Sequence, residues 1–269
     1  MRKTKALGQH FLTNRGVLNK IVAIISPQKD ELIIEIGAGK GALTFALADR
    51  CKKVIAIEKD QSLISFLLRK KWENIEILEK DVLSIDFYSL LKTEKAPAGK
   101  VKLVGNLPYS ISSPLLFKTL EAKDLFSSCV FLLQKEVAER LSAGPGSKKY
   151  APLSILFQIH FDVCLHFIVA PGSFSPPPRV RSALVSLERR ERPLFPLQDQ
   201  GRFQTFLRSS FGQRRKTLLN NLKSLDLPFV LLVESLRRLG LDSGVRAEQV
   251  PIEKFVRLFN LLTSSGQKN

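Results

Sequence analysis

Asn106-Leu107-Pro108-Tyr109 sets a side-chain amide, a rigid proline and an aromatic ring side by side, just beyond the apolar run of residues 101–104. An amide oxygen and a backbone carbonyl both accept hydrogen bonds, and a tyrosine ring offers a flat face. Together they suit a planar heterocycle that bears an exocyclic amino group. Such a nitrogen is a poor nucleophile, because its lone pair is delocalised into the ring. Attack on a sulfonium methyl requires it to become more tetrahedral, and acceptors on its hydrogens favour that change as positive charge develops. The Asn106 side-chain oxygen and the Pro108 carbonyl are the expected acceptors, with Tyr109 stacked on the ring to hold it in line. No strong general base is needed, since the methylated ammonium loses its proton readily. A base inside a duplex would first have to leave its stack.

Three other apolar runs end in residues of comparable use. "LIIEI" leads into Gly37, Gly39 and Gly41, "KVIAIE" ends on Glu58, and "NIEIL" is followed by Asp81 and Val82. In an open parallel sheet, ligands bind beyond the carboxyl ends of the strands. The glycines let the backbone turn sharply and approach a ligand, with helix N-terminal amides behind them. Their spacing is GxGxG, not the GxGxxG of dinucleotide folds. Glu58 can accept from both hydroxyls of a ribose, which NAD and S-adenosylmethionine share, so it does not choose between them. Asp81 can accept from an adenine amino group, beside the apolar wall of Val82. Taken singly, each is an ordinary loop residue or solvated acid; four in order, at successive strand ends, form a site.

The elements that must position these residues alternate. Short β-branched runs are separated by stretches with helical apolar spacing, such as Val17, Leu18, Ile21 and Ile25. This pattern predicts a parallel sheet covered on both faces. "HFDVCLHFIV" and "RVRSALVSLERR", joined by "APGSFSPPP", predict a hairpin that closes one sheet edge. After "ERRERPLFPLQDQ" only helix patterns follow, with one face at Phe203, Phe206, Leu207 and Phe211 and another at Ile252, Phe255, Val256 and Phe259. The expected division is a domain over 1–190 and a helical domain over 191–269.

The 269-residue chain carries 42 Lys and Arg against 25 Asp and Glu, a formal charge of +17 that argues for a polyanionic partner. Residues 189–269 hold 15 Lys and Arg against 7 Asp and Glu. This makes the tail the denser in positive charge and the better candidate for nucleic-acid contact. Arg214, Arg215 and Lys216 stand directly before a helical Leu218, Leu219, Leu222 face. That placement opposes a helix dipole, and phosphate contact explains it directly. No apolar run approaches the ~18 residues of a membrane span. The basic N-terminus is interrupted by polar residues before any signal-peptide core. Three unpaired cysteines fit a reduced cytoplasm, and three histidines without a CxxC predict no metal site.

"ALGQHFLTN", "EIGAGKGALT", "GNLPYSISSPLLF", "SFSPPPRVRSALV" and "FGQRRKTLLNNL" together resemble the ribosomal RNA adenine dimethyltransferase family, in the family's order and over nearly the whole chain. The resemblance implies a class I S-adenosylmethionine-dependent methyltransferase fold. That fold is Rossmann-like, with a mostly parallel seven-stranded sheet, an antiparallel edge hairpin and a small all-α C-terminal domain. It implies S-adenosylmethionine as methyl donor and no metal. The implied substrate is a pair of adjacent adenosines in the 3′-terminal hairpin of 16S rRNA, dimethylated in the small ribosomal subunit by a cytoplasmic monomer. Carried onto matching positions, His10, Leu12, Gly37, Glu58, Asp81 and Asn106 would bind the cofactor, with Gln9 in the same covering motif. Asn106, Tyr109 and Phe174 would hold the target adenine. His10 stands where most relatives carry Asn, and Ala38 where many carry Pro. The alternatives are a 23S rRNA adenine methyltransferase of the antibiotic-resistance kind and a non-catalytic RNA-binding ribosome assembly factor.

Overall fold

Leu32–Ile36 reads LIIEI, and all five residues are buried. A strand covered on both faces carries a continuous apolar run instead of alternation, and this one lies in the interior of the main sheet, with a parallel strand on each side. The computed structural model describes residues 9–96, 99–197 and 199–265. The chain runs β1 (Phe11–Leu12), α1 (Arg15–Ile25), β2 (Leu32–Ile36), α2 (Ala42–Ala48), β3 (Lys53–Glu58), α3 (Gln61–Leu68), β4 (Ile75–Glu79), α4 (Phe87–Thr93), β5 (Val101–Asn106), α5 (Ser112–Glu121) and β6 (Ser128–Gln134). It continues through α6 (Lys135–Leu141), α7 (Pro152–His160), β7 (Phe161–Val169), β8 (Phe174–Ser175) and β9 (Ser182–Arg189). Helices α8 (Gln200–Ser210), α9 (Leu218–Leu222), α10 (Phe229–Arg238) and α11 (Ile252–Ser265) complete it.

Two compact units result, one from residues up to 138 with 162–189, the other from 139–161 with 190 onward. The first holds a seven-stranded sheet in the order β4-β3-β2-β5-β6-β9-β7. Strands β2 to β6 pair in parallel, and β9 lies antiparallel to β6 from Ser128↔Glu188 to Gln134↔Ser182. The hairpin of β7 and β9 thus closes one edge. Edge strand β7 mixes exposed and buried positions, whereas β9 is buried from Ser182 to Leu187. The connection between them carries an element that the sequence did not announce. Strand β8 pairs antiparallel with β1, Leu12 opposite Phe174, and so ties the N-terminal segment to the sheet's hairpin loop.

In the second unit the two apolar faces read from the sequence meet. The rings of Phe203 and Phe259 lie 5.2 Å apart edge to face, and Phe211 stacks on Phe255 at 5.5 Å. Residues 139–161, which the sequence assigned to the first domain, group with this unit. Tyr150 packs edge-on against Phe211, and the Leu194 amide donates to Ile159 O at 2.8 Å. The reason is local: Ile155, Leu156, Phe157 and Ile159 of α7 are buried and need apolar partners.

Candidate active site

Strand β5 does not stop at Gly105 but pairs through Asn106, opposite Leu132 of β6. Glycine is required at 105 by space, because a Cβ there would lie 2.7 Å from the Ile36 carbonyl oxygen of β2. Two strand ends can thereby run side by side, and their loops open onto one cavity of about 240 Å³. Among the described residues its lining includes His10, Leu12, Glu35, Gly37, Glu58, Asp81, Asn106 and Tyr109. The strand-end residues singled out in the sequence are thus brought together.

Gly41 closes the turn after β2 in the left-handed region, φ 77°. A Cβ there would strike Phe45 at 2.3 Å and Leu67 at 2.7 Å. The turn's amides are largely committed to the protein. Gly37 N–H donates to Ile57 O at 2.9 Å, and Gly41 N–H to Ala38 O at 2.8 Å. Gly39 N–H donates to Glu58 Oε2 at 2.9 Å. Glu58 Oε1 accepts from the amides of Lys59 and Asp60 at 2.9 and 3.0 Å. The carboxylate is therefore locked in place at the cavity wall, with about one of its roughly four acceptor positions left open. Asp81 caps the turn after β4, accepting from Leu83 N–H at 3.0 Å, and faces Lys59 Nζ at 3.5 Å.

Glu35 is the residue whose role the sequence left unassigned. It is 2% exposed and lines the cavity, and its Oε2 has no hydrogen-bond partner among the described residues. Burial pushes its carboxyl up to about 8. Thr44, near it but outside hydrogen-bond geometry, offsets part of that rise, and the charge of Glu58 adds to it. A buried carboxyl with one oxygen unpartnered among the described residues fits a cationic ligand, and the sulfonium and ammonium groups of S-adenosylmethionine are of that kind.

Asn106 Nδ2 donates to the main-chain oxygen of His10 at 2.8 Å, and among the described residues nothing donates to its Oδ1. The His10 ring turns the other way, with Nδ1 2.8 Å from Pro176 O and its centroid 5.7 Å from that of Tyr109. One expectation needs correction here, and a second residue sits apart from the cavity. The Pro108 carbonyl already accepts from Ile111 N–H and from the Ser112 hydroxyl, both at 3.1 Å, so its two lone pairs are taken. Phe174 is 4% exposed and does not line the cavity. It packs in the apolar core and pairs with Leu12.

Arg214, Arg215 and Lys216 lie in the second unit, exposed, in the turn before α9, whose N-cap is Thr217. Arg214 Nη2 donates to the Lys148 carbonyl, which joins this turn to the segment that carries Lys148 and Lys149. Among the described residues no group of three or more His, Cys, Asp or Glu is placed to hold a metal ion. No helix there is long and apolar enough to cross a membrane.

A family model described as "Ribosomal RNA adenine dimethylase" matches residues 1–264. The chain is 44% identical over 271 residues to the ribosomal RNA small subunit methyltransferase A of Geobacter sulfurreducens, covering 99% of this chain and 97% of the relative. Among solved structures, a dimethyladenosine transferase from Plasmodium falciparum is similar with a TM-score of 0.82 and 29% identity, over 96% of this chain and 98% of that one. The 23S rRNA methyltransferase ErmE is similar with a TM-score of 0.71 and 26% identity, over 94% of this chain and 99% of that one. With its strand-end cavity, its seven-stranded sheet and a match over nearly its full length, the chain belongs to the ribosomal RNA adenine dimethylase family.

Proposed function

We propose that this chain dimethylates the exocyclic amino groups of two adjacent adenosines in the 3′-terminal hairpin of 16S rRNA, within the small ribosomal subunit. It acts as a cytoplasmic monomer during ribosome biogenesis. S-adenosylmethionine supplies an electrophilic methyl group. Glu58 receives a ribose hydroxyl on its open acceptor position, Asp81 and Val82 receive the adenine end, and Glu35 faces the cationic end. Asn106 Oδ1 accepts from the target amino group and draws its lone pair out of the ring. With Pro108 O occupied, that acceptor work falls to Asn106. Tyr109 holds the plane of the base. Arg214, Arg215 and Lys216 hold RNA phosphates.

The observation that carries this reading is the Asn106 amide, fixed through Nδ2 on His10 O and with an Oδ1 that takes no donor among the described residues, in a cavity shared with Glu58 and Glu35. The likeness to ErmE favours a second reading, in which the substrate is 23S rRNA. Labelled methyl transfer to purified small and large subunits in parallel separates the two. Label in the small subunit supports the proposal, and label only in the large subunit replaces it with the second reading. No transfer to either would leave an RNA-binding assembly factor.

A further inference from the structure

Tyr109 Oη lies 2.8 Å from the hydroxyl of Ser182. We propose that Ser182 is a positioning residue that sets the plane of the Tyr109 ring, and through it the plane of the target base. The inference rests on the reading of Tyr109 as the residue that holds that base.

Ser182 is 1% exposed and does not line the cavity, so it reaches the base only through Tyr109. It is the first residue of β9 and pairs with Gln134 at the end of the β6 ladder. The residue before it is clamped as well, since Lys135 N–H donates to Arg181 O at 2.9 Å. The backbone that carries this hydroxyl is therefore held by the β6–β9 ladder. Tyr109 stands instead on a short turn, residues 109–111, beyond the end of β5. Its ring is half-buried, and burial raises its hydroxyl above the usual tyrosine range while Ser182 offsets part of that rise. A ring on such a turn can swing about two side-chain torsions. If it swung, the hydroxyl of Ser182, which is 1% exposed, would lose its partner, and a buried polar group left unpaired is unfavourable. The bond thus selects one ring orientation before any base arrives, which is how pre-organisation lowers the barrier to an aligned attack.

The test is a double-mutant cycle on single-turnover methyl transfer to under-methylated small subunits. Ser182→Ala and Tyr109→Phe each remove the bond, the second without touching the buried serine. Each should lower the rate by about three- to tenfold, the effect of losing one neutral hydrogen bond. The double variant should be no slower than either single one, Ser182→Thr should recover most of the rate, and S-adenosylmethionine affinity should not change. Additive losses, or a Ser182→Ala loss that persists in full in the Tyr109→Phe background, would overturn the inference and mark Ser182 as structural. A normal rate in Ser182→Ala beside a strong loss in Tyr109→Ala would overturn it while leaving the role of Tyr109 in place. A normal rate in Tyr109→Ala would remove both.

Discussion

Asn106 and His10 are joined by a hydrogen bond of 2.8 Å from the side-chain amide of one to the main-chain oxygen of the other. The bond decides which way the amide faces. Nδ2 must point to the carbonyl, since a flipped amide would set oxygen against oxygen, so Oδ1 is left as the acceptor. A residue 96 positions earlier in the chain thus sets the polarity of the group at the end of β5. The contact is made by the His10 backbone, so it does not depend on the side chain at that position.

Asn106→Ala should reduce single-turnover transfer by ~100-fold or more, by analogy with removal of one donor from an oxyanion hole. Asn106→Asp is the sharper variant. It keeps an acceptor but places a second oxygen against His10 O, so it should lose most activity as well. A near-normal rate in Asn106→Ala would remove Asn106 from the chemical step.

Glu58→Ala should weaken S-adenosylmethionine binding by ~1.5–3 kcal/mol, the cost of losing hydrogen bonds to a charged acceptor. It should also lower stability, because the amides of Gly39, Lys59 and Asp60 would lose their partner. Glu58→Gln keeps one acceptor oxygen and should fold better than Glu58→Ala while still binding more weakly. Calorimetry on both variants, with denaturant midpoints, checks this; unchanged affinity in both would take Glu58 out of the site.

Much of this site is legible in the sequence, because each piece lies at the end of a strand that betrays itself by a short apolar run. Leu32–Ile36 and Lys53–Glu58 place the glycine turn and Glu58 without any knowledge of partners. What is not legible depends on contacts between distant segments. The two-residue strands β1 and β8 are too short to show a period, so the pairing of Leu12 with Phe174 does not show in the spacing. The saturation of Pro108 O depends on the Ser112 hydroxyl, a local contact that spacing does not reveal. Helix α7 escaped because several adjoining residues, Ser154 to Phe157, are buried together and leave no amphipathic stripe.

Glu35 makes stability depend on pH. Its folded-state value of about 8 lies above the ordinary 4.5, so between those values the native chain holds a proton that the unfolded chain has released. Its contribution is therefore full below about 4.5 and falls as pH rises toward 8, at up to ~1.4 kcal/mol per unit. Above that value the slope from this group vanishes. Urea unfolding at pH 5.5, 7 and 8.5 should show this decline in the parent and a flatter profile in Glu35→Gln. Equal slopes in the two proteins would show that Glu35 is ionised throughout.

Changing Arg214, Arg215 and Lys216 together to Ala should weaken small-subunit binding and flatten its salt dependence. The log–log slope should fall by roughly 0.7–0.9 for each phosphate no longer neutralised. S-adenosylmethionine affinity should stay as it was, since the cavity is built from the other unit. Titrations between low and moderate salt measure both quantities. A wild-type slope in the triple variant would move the phosphate-binding role to another surface.

The assignment of this chain as a small-subunit adenine dimethyltransferase stands or falls on where the methyl groups go. Under-methylated small subunits are incubated with the protein and labelled S-adenosylmethionine, and the modified nucleotides are located and identified. Two adjacent N6,N6-dimethyladenosines in the 3′-terminal hairpin of 16S rRNA are expected, with the label lost in Asn106→Ala. Label at other nucleotides, on a nitrogen other than the exocyclic amine, or undiminished in Asn106→Ala would contradict the assignment.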